Sequence, residues 1–374
     1  MAELTKAKLE LYVYGGSQEA IPDSPDYTLT KTKLSTETSI AFEISELIKD
    51  HITIEFNGDY RSLVQTKWVH YKVTRTYGTG DDATEDFYVV DAIAFRGYGE
   101  LEDGINPELS KDLLISNTVV HNYCGHPLTI PFYTRGDDGV TEITYAADAT
   151  QAGKLITGSV GNYTIAQSIR LNPSGNVITI DKTASLASNP EDSTDVAKIT
   201  NGITTIQYAT ASGTSKSIEV KCIDECKNIP QKVSFINKFG VMQDIWFFAK
   251  RKDSMSSQRE QYKKNTLTIG ATGASYNISD HQRVYLENQG RESITMNTGF
   301  IDDSYNEVLK QLLVSEYVYI HDNFRLSPTN AGANLAIPIS VVTNSLDFKT
   351  RRDDKLINYE LKFEMDSEFI QSIR

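Results

Sequence analysis

KSIEVKCIDECKNIPQKVSFINKFGVMQDIWFFAKRKD, residues 216–253, is the stretch that decides the fold. It holds two apolar runs, residues 232–236 and 241–249, separated by Asn237-Lys238-Phe239-Gly240. That separator has a residue type tolerant of positive φ at each end. Asp244 interrupts the second run, and Ile245, Trp246, Phe247 and Phe248 follow without a break. Apolar runs this short and aromatic, bounded by turn residues, predict strands buried on both faces. Two of them joined by a short turn predict a central hairpin, with Phe235, Trp246, Phe247 and Phe248 as structural core.

Outward from the hairpin, the same style of sequence recurs on both sides. Residues 8–14 alternate and end at Gly15-Gly16, and residues 40–44 resume a strand pattern. Ser45 is placed to cap one helical turn running to Lys49. Residues 68–77 and 87–95, divided by the turn cluster 78–82, predict a second hairpin. Toward the C-terminus, Ser304-Tyr305-Asn306-Glu307 is a capping-box pattern. Tyr305, Val308, Leu309, Leu312 and Leu313 then recur on one face, so one short amphipathic helix is expected near residues 304–315. Strands are expected at 317–321, 337–343 and 356–364, with 349–355 as a charged tip.

Residues 136–215 differ in composition. Thr, Ser, Ala, Gly and Asn dominate, and short alternating runs at 141–145, 168–171, 177–180 and 204–208 are separated by turn signals. The expected organisation is therefore mainly β, a multi-domain β-sandwich. It has an N-terminal β domain over 1–135, an inserted immunoglobulin-like β domain over 136–215, and a C-terminal β domain over 216–374 that packs with the first. The competing reading of the middle is a long, partly ordered loop.

Composition narrows the function classes. The chain has 374 residues and a formal charge of −13, with 20 Tyr and 14 Phe but 2 Trp. That charge argues against direct nucleic-acid binding, which needs a basic surface to meet phosphates. No run approaches the roughly 20 apolar residues of a membrane span. The N-terminus lacks the basic-then-apolar pattern of a signal peptide. Three cysteines, Cys124, Cys222 and Cys226, fit synthesis in a reducing cytoplasm without a disulfide framework. With His121 and His126 they form only a loose zinc set, and idle thiols explain them better, so neither a metal nor a cofactor is expected. The six histidines form no visible catalytic set, and no nucleophile elbow, phosphate loop or HExxH motif appears. Gly78-Thr79-Gly80-Asp81-Asp82 lacks the ligand spacing of a calcium loop and reads as a turn.

One local feature runs against the overall charge. Residues 250–264, KRKDSMSSQREQYKK, carry six basic residues against Asp253 and Glu260. A DNA contact is one reading. A solvated loop, or a docking surface for an acidic neighbouring subunit, fits an acidic chain better. The interface residues expected are Arg251, Lys252, Arg259, Tyr262 and Lys263, with the acidic stretches 81–86 and 100–103 as complements on a second copy.

The run Glu225-Cys226-Lys227, Pro230, Val233-Ser234-Phe235-Ile236-Asn237-Lys238-Phe239-Gly240 and Gln243-Asp244-Ile245-Trp246-Phe247-Phe248 resembles a pattern in virion structural proteins of tailed bacteriophages. These are tail and baseplate components of marine or Bacteroidetes-type phages. Residues 42–50, 94–107 and 359–366 look similar to the same group, whereas 136–215 do not. The resemblance implies a non-enzymatic tail, baseplate or connector subunit located in the virion. It implies a homo-oligomeric ring and links to other phage tail or baseplate proteins. It supplies no catalytic residues. The alternative is a receptor- or carbohydrate-binding adhesin or tail-fibre component, recognising a host surface glycan through the Thr-, Ser- and Asn-rich middle. A glycan-cleaving enzyme would need two carboxylates across a cleft, and nothing in the sequence singles out such a pair.

Overall fold

The computed structural model is mainly β, with several sheets and two α-helices among the described residues. Described are residues 3–15, 19–58, 65–105, 113–123, 129–132, 142–148, 151–156, 167–171, 178–182, 205–210, 213–214, 216–223, 225–321, 336–348 and 357–367. The charged tip expected at 349–355 lies outside them.

The first sheet is antiparallel, in the order β2-β1-β3-β4, so the chain crosses β1 between β2 and β3. Its strands are β1 (Leu4–Tyr14), β2 (Tyr27–Thr32), β3 (Thr66–Tyr77) and β4 (Thr84–Phe95). In β1 the alternate residues Ala7, Leu9, Leu11 and Val13 are buried, as a half-buried strand requires. The 78–82 cluster is the turn between β3 and β4, with Gly78 at φ 80° and Gly80 at φ 72°. No strand forms over residues 40–44; the chain there is irregular and leads into α1 (Ser45–Lys49). Ile44, not Ser45, holds the N-cap position, because Ser45 turns its amide and hydroxyl to the Glu43 carboxylate.

Strands from before and after residue 136 share two further sheets. One runs β5 (Val119–Tyr123), β13 (Ile218–Ile223), β11 (Thr205–Thr210), β7 (Glu142–Asp148), β8 (Gln151–Ile156), with β12 (Gly213–Thr214) beside β11. The β5–β13 pairing is parallel. The other runs β10 (Ile178–Lys182), β9 (Gln167–Leu171), β6 (Thr129–Phe132).

The decisive stretch forms β14 (Gln231–Ile236) and β15 (Met242–Phe247), an antiparallel hairpin pairing Val233 with Ile245. Asn237 accepts the turn amides of Phe239 and Val241, and Gly240 closes the turn at φ 78°. The hairpin ends a seven-stranded sheet rather than lying at its centre: β15-β14-β20-β21-β22-β19-β16. The remaining members are β16 (Lys252–Lys263), β19 (Arg283–Asn297), β20 (Val318–His321), β21 (Ile337–Val341) and β22 (Glu360–Met365).

Both faces are covered at the β15-β14-β20 end of this sheet, which explains the unbroken apolar runs there. On one face, α2 (Tyr305–Val314) packs Val308, Leu309 and Leu312 onto Phe235, Phe247, Ile320, Leu361 and Phe363. On the other, Ile236, Met242 and Tyr319 meet Ile52, Ile54 and Phe56 from an extended segment after α1. Polar ties join the N-terminal part to the same hairpin. Met242 N–H donates to Gln65 Oε1 at 2.7 Å, and Asn237 Nδ2 donates to the Leu114 carbonyl at 2.7 Å. At Gly97 the two parts touch backbone to backbone: Tyr98 N–H donates to the Lys238 carbonyl at 2.8 Å. A Cβ on Gly240 would sit 2.5 Å from the Gly97 nitrogen, and one on Gly97 would sit 2.5 Å from the Lys238 oxygen.

Candidate functional site

The basic stretch 250–264 is a strand, not a loop. β16 runs antiparallel to β19, from Lys252 opposite Thr295 to Lys263 opposite Arg283, with a bulge between Glu260 and Gln261. Every residue of β16 is exposed. β19 joins β22 only through residues 293–297, so beyond that root the two strands leave the body as a ribbon. The ribbon carries a second hairpin at its end, β17 (Leu267–Gly270) paired with β18 (Gly273–Tyr276). The nine residues of β16 beyond that root, at about 3.4 Å per residue, give an arm roughly 30 Å long before that tip.

Three of the five expected interface residues lie on this arm, and two sit at its root. Arg251 is at the root, where its Nε donates to Asp253 at 2.6 Å and its NH1 donates to Gln231 Oε1 at 3.0 Å. It is therefore committed to the body. Lys252 begins the strand. Arg259 lies over the Tyr285 ring, 5.5 Å from its centroid, and Tyr262 faces solvent opposite Val284. Lys263 is directly opposite Arg283, with Lys264 next to it, so like charges crowd the distal end. Like charges facing each other across a strand pair destabilise it. A carboxylate arriving from outside would relieve that repulsion.

The tip is apolar as well as exposed. Ile269 is 80 % exposed and Ile278 91 % exposed, and Leu267 and Tyr276 are exposed beside them. A two-stranded ribbon with no layer packed on it is marginal in water. Clustered exposed apolar side chains mark interaction sites. The sequence signals used for strands missed the arm, since it has no buried face to impose an alternating pattern. The usable signal was the Ser- and Gln-rich run between basic residues.

The core residues occupy the hairpin itself. Phe235 and Phe247 are fully buried, and Phe248 and Trp246 are buried. The Trp246 indole N–H donates to Asn122 Oδ1 at 2.9 Å, tying β15 to β5.

The fold also brings together a set that sequence spacing concealed: Ser234 on β14, Asp244 on β15 and His321 on β20. Ser234 Oγ–H donates to Asp244 Oδ1 at 2.5 Å, and with that proton committed, His321 Nε2–H donates to Ser234 Oγ at 2.7 Å. Lys232 Nζ lies 3.4 Å from Asp244 Oδ2. Burial and the nearby Lys232 ammonium push the His321 pKa down to about 3, so the ring is neutral. An activated serine gives its proton to an imidazole. Here the proton points to the carboxylate and Ser234 is fully buried. The chemistry available to the set is to brace three neighbouring strands.

Among the described residues no group of three or more His, Cys, Asp or Glu is placed to hold a metal ion. Cys226 is an exposed free thiol, while Cys124 and His126 lie outside the described residues. No helix among the described residues is long and apolar enough to cross a membrane. No family model, curated protein or solved structure matches the chain.

Proposed function

We propose that the chain is a virion structural subunit of a tailed bacteriophage, from its tail, baseplate or connector region. It forms a ring with copies of itself, links neighbouring virion proteins, and acts by binding rather than by catalysis. The observation that carries this reading is the arm. A ribbon with every β16 residue exposed, an apolar tip and crowded positive charge is built to be completed by another protein. The sequence resemblance in residues 225–248 points the same way, and so does the −13 net charge, which supplies acidic surface for a basic arm to meet.

The test has two readouts. Analytical ultracentrifugation and negative-stain imaging of the purified chain should show oligomers of one defined order. Immunogold labelling with antibodies to the chain should decorate purified phage particles, with its peptides found in them by mass spectrometry. A chain absent from the particles overturns the reading, and specific glycan binding by a monomer favours an adhesin instead.

A further inference from the structure

We propose that β16 of one copy adds, antiparallel, to the free edge of β4 on the next copy. This identifies the contact that closes the ring and rests on the subunit reading above. Among the described residues β4 pairs only with β3 and ends its sheet, just as β16 ends the seven-stranded sheet. Both strands are 12 residues long. Residues 84–89 of β4 are all exposed on both faces, Phe87 to 63 %. A long exposed edge with apolar side chains is a template for another strand, and proteins normally blunt such edges. Strand addition uses the unpaired main-chain groups of both partners, with side chains selecting the match.

Charge selects the partner and the direction. β4 carries Glu85, Asp86 and Asp91 and no basic residue, with Asp82 just before it; Asp86 is already paired with Arg75 and Asp91 with His70 inside the sheet, so Glu85 carries most of the charge the edge can offer. β16 carries Lys252, Arg259 and Lys263 against Asp253 and Glu260, with Lys264 just after it and Arg283 opposite Lys263, so its positive excess lies at the distal end. Laid antiparallel at full overlap, Thr84 meets Lys263 and Phe95 meets Lys252. Glu85 and Asp86 then fall between Arg259 and Lys263, where the arm's own Arg283 adds to the repulsion. Asp253 falls opposite Ala94, away from Asp91. A parallel overlay gives Asp91 to Arg259 but sets Glu85 against Asp253 and takes Glu85 and Asp86 away from the distal basic cluster. Tyr88 falls opposite Arg259, and the exposed Phe87 and Val89 lie beside it, so apolar area is covered along with the charges. The two edges are different surfaces of one chain, so the contact is head-to-tail and closes into a ring when its rotation permits.

Hydrogen exchange on the assembled and dissociated chain tests the contact. Amides of both 84–95 and 252–263 should slow on assembly. Arg259→Glu with Lys263→Glu should weaken self-association by about tenfold or more, and so should Thr84→Lys with Glu85→Lys. All four positions are exposed, so circular dichroism should show each variant folded. Mixing the two variants pairs reversed arm with reversed edge and should restore oligomers of alternating composition, read by native mass spectrometry. Oligomers that form with either segment unprotected, or variants that assemble like the parent, overturn the strand pairing and leave the subunit reading standing. A chain that stays monomeric at every soluble concentration overturns the pairing too, while absence from particles is what removes the subunit reading.

Discussion

Trp246 shows how much rests on single side chains in this sheet. Its ring is buried beside Phe248 and Tyr123, and its N–H satisfies Asn122. Trp246→Ala should cost about 3–5 kcal/mol in chemical denaturation, from lost transfer energy and the cavity left behind. Gly240→Ala should cost about 2–4 kcal/mol, since the new Cβ meets both an unfavourable φ and the backbone at Gly97. Gly97→Ala, at ordinary φ, isolates the steric part of that loss. His321 makes a pH prediction whose sign follows from its lowered folded pKa. Above about pH 6.5 the ring is neutral in both folded and unfolded states, and nothing is lost. As pH falls from there toward 3, the unfolded chain takes up a proton that the folded chain refuses. Stability should fall by about 1.4 kcal/mol per pH unit from this group, or roughly 2–3 kcal/mol between pH 6.5 and 4.5. His321→Gln should flatten the slope in that window. An unchanged slope would assign the acid sensitivity to other groups, among them His121, whose pKa is also held down by burial, and Glu316, held down by Arg96 and Lys49.

At the scale of elements, legibility followed burial. The hairpin of β14 and β15 and the helix α2 were readable because a core imposes a period, and Tyr305, Val308, Leu309 and Leu312 are the buried stripe. The capping-box spelling located the helix start, although Ser304 makes no side-chain cap bond. Glu307 instead receives Gln311 Nε2 at 3.1 Å. The arm was not readable, because both faces of β16 meet water and no pattern of burial is written into it. The buried set of Ser234, Asp244 and His321 depends on strand register, and register is a property of pairing that spacing along one chain does not carry. Marginal packing also makes the arm the first place a protease should find. In the dissociated chain, trypsin should cut after Arg259, Lys263 or Lys264 well before any site in β14. Assembly should suppress that cleavage. Equal cutting in both states would show that assembly leaves the arm uncovered.

The whole molecule is held by pairings between distant parts of the chain. Arg96 donates to Glu316 and to the carbonyls of Lys49 and Ile52, so one guanidinium gathers three segments. The Tyr305 hydroxyl on α2 accepts the buried His121 amide of β5 at 2.7 Å, across 184 residues of sequence. Burial pushes the Tyr305 pKa up, which keeps its hydroxyl neutral. Tyr305→Phe leaves that amide unpaired in the interior and should cost about 1–3 kcal/mol in urea unfolding. A smaller loss would mean that another acceptor takes its place. The same bond sets a clock on biosynthesis. A ribosome adding about 5–20 residues per second delivers Tyr305 on the order of 10–40 s after His121 has been made. Through that interval β5 waits on the nascent chain, first for its strand partner β13 and then for Tyr305, so the yield of native subunit depends on what shields residues 119–123 during translation.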